Sequence, residues 1–312
     1  MSRELSVHVL LCCAGVWGQA PVAGPDARVR WVTRAVEAPG LQHRTFDSAA
    51  VGGPVSYHIY LPDEYQAEPE RRFPVLYWLH GTSGGLPGVR PLSAHFGGAM
   101  RAGTIPPMLV VFPNAPPGSL WVDSKDGKMP VETVVVSELV PHIDATFRTI
   151  ASPEGRIVEG FSMGGYGAAR LGLKHHDIFG AVSILAGGPL QQHFTHTPRV
   201  GPRGREMVLQ RVFGGDHDYF RALSPWVLAE HNADAVRDDM RMRLVIGEQD
   251  EMLAVTRRFH AHLTRLRVPH AFTVLPGVGH DTRDVLLALG EEGWEFYRQA
   301  LAGVENAPIP DG

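Results

Sequence analysis

Cysteine is almost absent from this sequence. Cys12 and Cys13 are the only two among 312 residues, and both lie in the apolar segment LSVHVLLCCAGVWGQA near the N-terminus. This segment is too short for a comfortable membrane span but suits the core of a signal peptide. We therefore expect residues 1–24 to form a leader that is removed on export. The mature chain would then lack cysteine, which excludes disulfides, a cysteine nucleophile and cysteine metal sites.

The N-terminal segment lacks two usual features of a signal peptide. Arg3 is followed by Glu4, so positive charge before the apolar segment is weak, and Pro21 after Ala20 disfavours cleavage at that bond. An uncleaved apolar leader and a misassigned start are the alternatives. The sequence thus predicts a secreted or periplasmic protein without a stable membrane span in the mature chain, with a cytoplasmic location as the alternative.

Clusters of positive charge are also lacking. Lysine occurs only at Lys125, Lys128 and Lys174, arginine is scattered, and the formal net charge is −4. No group of basic residues is interleaved with aromatic ones. Nucleic acid and anionic membranes are therefore not expected as partners.

Compact metal-binding motifs are missing too. The sequence has no H-E-x-x-H pattern, and His260 and His262 would point apart on a helix. The DHD stretch from Asp216 to Asp218 could contact a cation, but a solvated loop is favoured. We predict no metal site.

Short apolar runs alternate with helix-like segments along the chain. A Gly52–Gly53 turn between two β-prone stretches predicts an antiparallel hairpin at the start. The later runs have the length of buried strands and are separated by helices, so we predict an α/β fold with a mostly parallel central sheet and helices on both faces. These runs are FPVLYWLHG, PPMLVVFPN, RIVEG, GAVSILAG, RMRLVIGEQD and HAFTVLPG.

The domain organisation is predicted to be simple, because no repeat or linker is visible. Residues 25–304 would form one domain, and residues 305–312 a flexible tail. Within the domain, residues 189–239 are expected to be a polar, partly helical insertion near the functional site.

Ser162 lies in the stretch IVEGFSMGGYGAARL, within a G-x-S-x-G pattern. A β-prone run precedes it and a helix-prone run follows, which would place the serine on a sharp strand-to-helix turn. The pattern alone is weak, since a chain this rich in glycine would contain about 0.2 such matches by chance. A plain turn serine is the alternative.

Polar residues also follow later predicted strands. Asp250 comes after RLVIGEQ and His280 after FTVLPGVG. In an open parallel sheet the carboxyl ends of the strands meet at one edge. The chain order Ser, Asp, His is the one that the α/β-hydrolase arrangement requires. The spacing therefore predicts Ser162 as a nucleophile, His280 as its base and Asp250 as the acid that orients the base.

Other acids compete for the third role. Glu248 and Glu251 flank Asp250, and Asp281 lies beside His280. Asp250 is favoured because it lies just past the end of the strand. His280 is favoured among 16 histidines because it follows the last strand in a loop of small residues.

A tetrahedral oxyanion at Ser162 would need preorganised donors. The backbone N–H of Met163, directly after the serine, is one candidate. The second is the N–H of Thr82 in the glycine-rich loop HGTSGG, whose first residue, His80, would shape the loop and border the substrate.

Three aromatic residues are weaker candidates for substrate contact. Trp121, in GSLWVDSKDGK, could stack on an aromatic or sugar group, and a packing role is the alternative. Phe194 and Tyr219, in the predicted insertion, would line the acyl or alcohol side.

Residues from about His43 to Ala300 resemble the esterase-D-like branch of the α/β-hydrolases. This branch includes feruloyl and acetyl-xylan esterases, S-formylglutathione hydrolases, enterobactin esterases and mycolyltransferases. The resemblance implies the same triad and oxyanion donors, no cofactor and no large separate lid. The matching stretches are FPVLYWLHGTSGG, ELVPHIDATF, GFSMGGYGAARLGLKHHDIFGAVSILAGG, FGGDHDYFRALSPWVLAE, VIGEQD and PGVGHD.

One loop separates this chain from part of that branch. S-formylglutathione hydrolases usually have Leu-Thr-Cys after the HG pair, whereas this chain has TSGG and an apolar leader. We therefore expect a serine carboxylic-ester hydrolase that forms an acyl-enzyme with small or carbohydrate-linked esters. The alternatives are an acyltransferase of the same fold, an S-formylglutathione hydrolase-like thioesterase and, least favoured, a non-catalytic binding protein.

Overall fold

The computed structural model describes residues 29–194 and 201–304, so the predicted leader and tail lie outside the described residues. The strands are β1 (Leu41–Ser48), β2 (Gly53–Tyr60), β3 (Val75–Leu79), β4 (Leu109–Pro113), β5 (Arg156–Phe161), β6 (Ala181–Leu185), β7 (Arg241–Gly247) and β8 (Ala271–Leu275). The α-helices are α1 (Glu64–Ala67), α2 (Leu86–Arg101), α3 (Val131–Thr133), α4 (Val140–Thr146), α5 (Met163–Lys174), α6 (Pro202–Phe213), α7 (His217–Ala222), α8 (Pro225–Asp239), α9 (Leu253–Arg265) and α10 (Thr282–Ala300). A π-helical turn (Val134–Leu139) joins α3 to α4, and a 3-10 turn (Pro153–Gly155) precedes β5.

In the described ranges the strands form one sheet of eight, in the order β1-β2-β4-β3-β5-β6-β7-β8. The β1–β2 and β2–β4 pairs are antiparallel, and every later pair is parallel. The central strands β3, β4, β5 and β6 are buried along their whole length, as their mostly apolar sequences predict. The predicted mostly parallel sheet with an N-terminal hairpin is confirmed.

Helices cover both faces of this sheet. Adjacent residues of a strand point to opposite faces. In β5, Glu159 accepts a hydrogen bond of 2.7 Å from the Tyr297 hydroxyl of α10. Its neighbour Gly160 lies against the backbone of Gly164 in α5. The helices α5 and α10 therefore pack on opposite faces.

A buried polar network ties β5 to the strands beside it. Glu159 accepts hydrogen bonds from the Ser183 hydroxyl of β6 at 2.7 Å and from Arg243 of β7 at 3.0 Å. A buried carboxylate is tolerated only when it is paired and hydrogen-bonded, and here both conditions hold. The network fixes β5 on its neighbours three residues before Ser162.

The predicted insertion, residues 189–239, contains α6, α7 and α8 and lies between β6 and β7. Its helix α8 packs on α5, the helix that follows Ser162. Within the described ranges, no helix has the length and apolar character needed to cross a membrane.

Candidate active site

Ser162 occupies a sharp turn between β5 and α5. Its backbone has φ 59° and ψ −120°, a region that side chains other than glycine rarely adopt. Three backbone hydrogen bonds of 3.0 Å hold it there: the Ser162 N–H donates to the Leu185 carbonyl, and the Ser162 carbonyl accepts from Tyr166 and Gly188. The strained turn is thus fixed by the end of β6 and by the first turn of α5.

The turn depends on glycine because backbone segments approach closely here. A Cβ on Gly164 would collide with the carbonyl oxygen of Leu79, at the end of β3. On Gly165 it would lie 2.8 Å from the carbonyl oxygen of Leu185. The absence of side chains at these positions lets α5 begin directly against two strand ends.

Three side chains from separate strand ends form a hydrogen-bonded chain, which we call the reaction centre: Ser162, His280 and Asp250. The Ser162 Oγ lies 2.9 Å from Nε2 of His280, and Nδ1 of His280 lies 2.6 Å from Oδ2 of Asp250. A carboxylate only accepts, so Nδ1 of the neutral imidazole carries the proton and donates it to Asp250. Nε2 is then free to accept from the Ser162 hydroxyl.

The reaction centre is shielded from water on the acid side. The Asp250 side chain is fully buried, and that of His280 is 6% exposed. The second oxygen of Asp250 accepts a hydrogen bond of 2.8 Å from the Met252 N–H. The Phe161 ring lies 4.7 Å from the His280 ring. Both neighbours of the imidazole therefore limit its rotation.

The competing acids have other contacts. Glu248 accepts from the Gly277 N–H at 2.9 Å. Asp281 caps α10 by accepting from the backbone N–H groups of Arg283 and Asp284. The carboxylate that contacts His280 is that of Asp250.

The loop after β3 passes close to Ser162. A Cβ added to Gly81 would lie 3.7 Å from the Ser162 Cβ, and Thr82 lies on the wall of the same cavity. On the other side of the serine, Met163 is the first residue of α5. The first N–H groups of a helix have no acceptor within it and carry partial positive charge. Thr82 thus borders the cavity and Met163 begins the helix after Ser162, and their roles as oxyanion donors stay a prediction.

His80 holds this loop rather than facing solvent. Its Nδ1 lies 2.8 Å from the Gly81 carbonyl oxygen and its Nε2 lies 3.1 Å from the Ala115 carbonyl oxygen. Burial lowers the pKa of the His80 imidazole. His80 also borders the cavity. The residue therefore lies where the sequence placed it, within the loop and next to the cavity.

Trp121 and Tyr219 do not lie on the cavity wall, in contrast to the expectation of substrate contact. The Trp121 side chain is completely buried, and its Nε1 donates to the His80 carbonyl at 3.1 Å. The Tyr219 hydroxyl donates to the Asp123 carbonyl at 3.2 Å. Both rings are used in packing, which was the stated alternative for Trp121. Phe194, in contrast, does line the cavity.

Ser162, His280 and the Thr82 loop open into one cavity of about 840 Å³. A set of apolar residues in its lining, which we call the apolar wall, is not predicted from the sequence apart from Phe194. Its residues come from distant parts of the chain, so most of them cannot be grouped from the sequence. The leucine pair in TRDVLLAL, shortly after His280, could have been recognised as a candidate for substrate contact. The apolar wall comprises Leu92, Phe194, Val208, Met252, Leu286 and Leu287.

The two other polar groups noted in the sequence have local partners. Asp216 caps α7 by accepting from the N–H groups of Asp218 and Tyr219 and also pairs with Lys125. His260 lies 2.8 Å from His270. Among the described residues, no group of three or more histidine, cysteine or acidic side chains could hold a metal ion.

One known protein family matches most of this chain. Residues 48–305 match the family described as "Putative esterase". An esterase of Mycobacterium tuberculosis (strain ATCC 25618 / H37Rv) is 28% identical over 296 residues, which cover 85% of this chain and 61% of that protein. An endo-1,4-beta-xylanase/feruloyl esterase of Xylanibacter ruminicola is 32% identical over 162 residues, covering 47% of this chain and 22% of that protein. The chain therefore spans less than two thirds of the length of these relatives.

Solved structures share the fold. A ferulic acid esterase superposes with a TM-score of 0.67 at 22% identity, covering 83% of this chain and 97% of that one. An S-formylglutathione hydrolase of Staphylococcus aureus gives a TM-score of 0.63 at 16% identity, covering 81% and 98%. These likenesses establish the α/β-hydrolase architecture. The match over residues 48–305 shows that the chain belongs to the family described as "Putative esterase".

Proposed function

We propose that this protein is a serine carboxylic-ester hydrolase that works through an acyl-enzyme intermediate. The observation that carries the proposal is the hydrogen-bonded chain from Ser162 through His280 to Asp250, with its serine facing the cavity. Membership of an esterase family supports the reaction class.

Acylation begins at Ser162. As its Oγ attacks the ester carbonyl, the hydroxyl proton passes to Nε2 of His280, 2.9 Å away. The imidazolium that forms is stabilised by the Asp250 carboxylate at Nδ1. When the carbon–oxygen bond to the alcohol breaks, His280 returns the proton to the departing alkoxide. The products of this half-reaction are the free alcohol and an ester on Ser162.

Deacylation repeats the sequence with water. His280 takes a proton from the attacking water, and the tetrahedral intermediate collapses to a carboxylic acid and the free Ser162 hydroxyl. In both halves, negative charge develops on the former carbonyl oxygen. We assign its stabilisation to the backbone N–H groups of Thr82 and Met163, each contributing about 3–4 kcal/mol to the transition state.

For the substrate we propose small or carbohydrate-linked esters, handled by a secreted or periplasmic protein. The cavity volume of about 840 Å³ supports a substrate larger than a simple acetate. The relative from Xylanibacter ruminicola supports this substrate class, since its name joins a xylanase to a feruloyl esterase. The export proposal depends on the apolar leader alone, and N-terminal sequencing of secreted protein tests it.

The test of the serine mechanism uses p-nitrophenyl butyrate. Ser162→Ala should lower kcat at least about a thousandfold and abolish the burst of p-nitrophenol in rapid mixing. Ser137→Ala is the matched control, because Ser137 is an exposed serine on the π-helical turn, away from the cavity, and should leave kcat unchanged.

Two results would reject the proposal. One is a Ser162→Ala protein that keeps the wild-type kcat. The other is a folded wild type that releases no alcohol from any ester in a panel from acetyl to feruloyl, which would favour a binding protein on a hydrolase scaffold. Transfer of the acyl group to an added sugar in preference to water would instead define an acyltransferase.

A further inference from the structure

Two large hydrophobic side chains stand out in the described ranges because solvent reaches them: Leu287 is 62% exposed and Val32 is 39% exposed. Leu287 lies on the wall of the cavity that contains Ser162, and Val32 does not. Isolated exposed hydrophobic residues are ordinary on protein surfaces. An exposed leucine inside a catalytic cavity, next to further apolar residues, indicates a surface that a ligand covers.

The surroundings of Leu287 form a cleft between two helices. The helix α10 begins two residues after His280, and α2 begins just after the HGTSGG loop. The two helices contact each other further along, where the His95 and Trp294 rings are 4.6 Å apart. Before that contact, α10 presents Leu286 and Leu287 to the cavity.

The opposite side of the cleft is small and apolar. From α2, the cavity is lined by Gly88, Pro91, Leu92 and His95. Gly88 adds no side chain to the cleft, and its backbone lies close to Leu92: a Cβ on Gly88 would be 3.3 Å from the Leu92 side chain. On α2 the cleft is therefore bounded by glycine, proline and leucine together with His95, and on α10 by two leucines together with Thr282 and Arg283.

Charge is scarce in this part of the cavity. The imidazole of His95 has a lowered pKa because it is buried, so it stays neutral at neutral pH. The Asp281 carboxylate already accepts from two backbone N–H groups at the start of α10. Arg283, one turn before Leu287, is the cation on the lining. The cleft thus offers dispersion contacts and few polar partners to a ligand.

We propose that this α2–α10 cleft, with Leu92, Leu286 and Leu287, binds an apolar substituent of the ester and makes the protein selective for esters larger than acetates. The inference depends on the proposed esterase function, since it assigns a substrate class to the same cavity. The side chains act only by contact: burying Leu287 under an apolar group removes both surfaces from water.

The experiment compares wild type, Leu287→Ser and Leu287→Phe on two series of esters. In one series the acyl group grows from acetyl to octanoyl on p-nitrophenol. In the other an acetyl group is kept while the alcohol grows from ethyl to naphthyl. Leu287→Ser should lower kcat/KM about three- to tenfold for the larger esters of the series that fills the cleft, and less than about twofold for the acetate reference. Leu287→Phe should retain the preference.

Val32→Ser is the control, because it also replaces an exposed hydrophobic residue but lies outside the cavity. Its selectivity should equal that of wild type. The inference is overturned if Leu287→Ser keeps the wild-type ratios in both series. That outcome differs from failure of the proposed function, in which wild type shows no Ser162-dependent hydrolysis of any ester.

A second inference comes from the buried environment of Trp121. Its indole Nε1 donates to the carbonyl of His80, which directly precedes the Gly81–Thr82 loop. Its own carbonyl accepts a hydrogen bond of 2.9 Å from Arg170 of α5. Its ring lies so close to the α5 backbone that a Cβ on Gly167 would come within 2.6 Å of it.

Trp121 therefore connects the two structures that carry the oxyanion donors. The N–H of Met163 belongs to the start of α5, and the N–H of Thr82 belongs to the loop that follows His80. The backbone of Trp121 has φ 56°, and that of Leu120 before it has φ 55°, so this loop is held in an unfavourable conformation. We infer that Trp121 is a positioning residue that sets the distance between the two oxyanion donors, given the proposed mechanism.

The variant Trp121→Phe keeps an aromatic ring, smaller than the indole, and removes the N–H donor to the His80 carbonyl. We expect kcat to fall roughly tenfold to a hundredfold with little change in KM, because a displaced donor weakens only transition-state binding. Affinity for a boronic acid, which mimics the tetrahedral intermediate, should fall with kcat. Titration of reactive serines with a fluorophosphonate gives kcat per competent site even where part of the protein fails to fold.

Trp226→Phe is the matched control. Trp226 is also a buried tryptophan, and its Nε1 donates to the Leu190 carbonyl at 2.8 Å, but it does not contact the His80 loop. It should lose stability without losing kcat per titrated site. Unchanged kcat and boronate affinity in Trp121→Phe would overturn the inference, as would an equal loss in Trp226→Phe.

Discussion

The reaction centre and the apolar wall share one cavity but are built in opposite ways. In the reaction centre, Ser162, His280 and Asp250 are joined by hydrogen bonds of 2.6 and 2.9 Å, and the acid is fully buried. In the apolar wall, Leu287 has no polar partner to direct it and is mostly exposed. The proposed chemistry therefore depends on atoms held in fixed positions, whereas the proposed choice of substrate depends on apolar contact.

This difference predicts how variants behave. A change in the reaction centre should affect every ester to the same degree, because it alters the transition state that all esters share. A change in the apolar wall should affect esters according to their size. The following experiments, from the largest expected effect to the smallest, separate the two regions.

Asp250→Asn should have the largest effect on rate. An amide in place of the carboxylate removes the charge that stabilises the imidazolium and allows the wrong tautomer of His280, so we expect kcat to fall about 10³- to 10⁴-fold for small and large esters alike. Steady-state kinetics on p-nitrophenyl acetate and octanoate measure this. Glu248→Gln, which alters an exposed acid two residues away, is the control and should change kcat little. A loss of kcat for only one of the two esters would contradict the expectation that the reaction centre acts on all esters alike.

Gly164→Ala should have the next largest effect, a loss of stability caused by a change in the backbone of the turn. Its Cβ would collide with the Leu79 carbonyl, so β3 or α5 must shift, at a cost of about 1–3 kcal/mol in the free energy of unfolding. Gly98→Ala is the control: Gly98 lies in α2 with nothing within 4 Å of the added Cβ, and alanine should stabilise that helix by up to about 1 kcal/mol. Thermal unfolding compares the two. Equal effects would show that the turn tolerates a side chain.

The smallest effect concerns pH. Burial lowers the pKa of both His80 and His95 below the usual 6.5, so neither imidazole gains a proton between pH 8 and 6.5. No charge is then added by His80 or His95 in this window, so the ratio of kcat/KM for octanoate to that for acetate should stay constant. A ratio that falls as the pH is lowered would show that a positive charge appears beside the apolar group.

The reaction centre could be predicted from the sequence because local signals mark it. Ser162 lies in a glycine pattern, and Asp250 and His280 follow parallel strands, the buried β7 and the edge strand β8, whose carboxyl ends meet at one edge of the sheet. The mostly parallel sheet is predicted by the same alternation of runs and helices, but the strand order is not. The glycines around the serine are visible in the sequence, and the structure explains them by the close approach of backbone segments.

The apolar wall could not be predicted in the same way. Its members come from α2, α10, the insertion and the loop before α9, so only the folded chain brings them together. The position of Trp121 was also hidden. It lies in a loop where two consecutive residues other than glycine have positive φ, which no sequence rule favours. A tryptophan in a polar loop therefore suggested substrate contact, although the ring is buried.

Direct detection of the acyl-enzyme tests the proposed function most sharply. Wild-type protein mixed with p-nitrophenyl butyrate, quenched in acid during the burst and digested, should carry one butyryl group on the peptide that contains Ser162. Ser162→Ala should carry none. A butyryl group on another residue, or hydrolysis at the wild-type rate by Ser162→Ala, would contradict the assignment of Ser162 as the nucleophile.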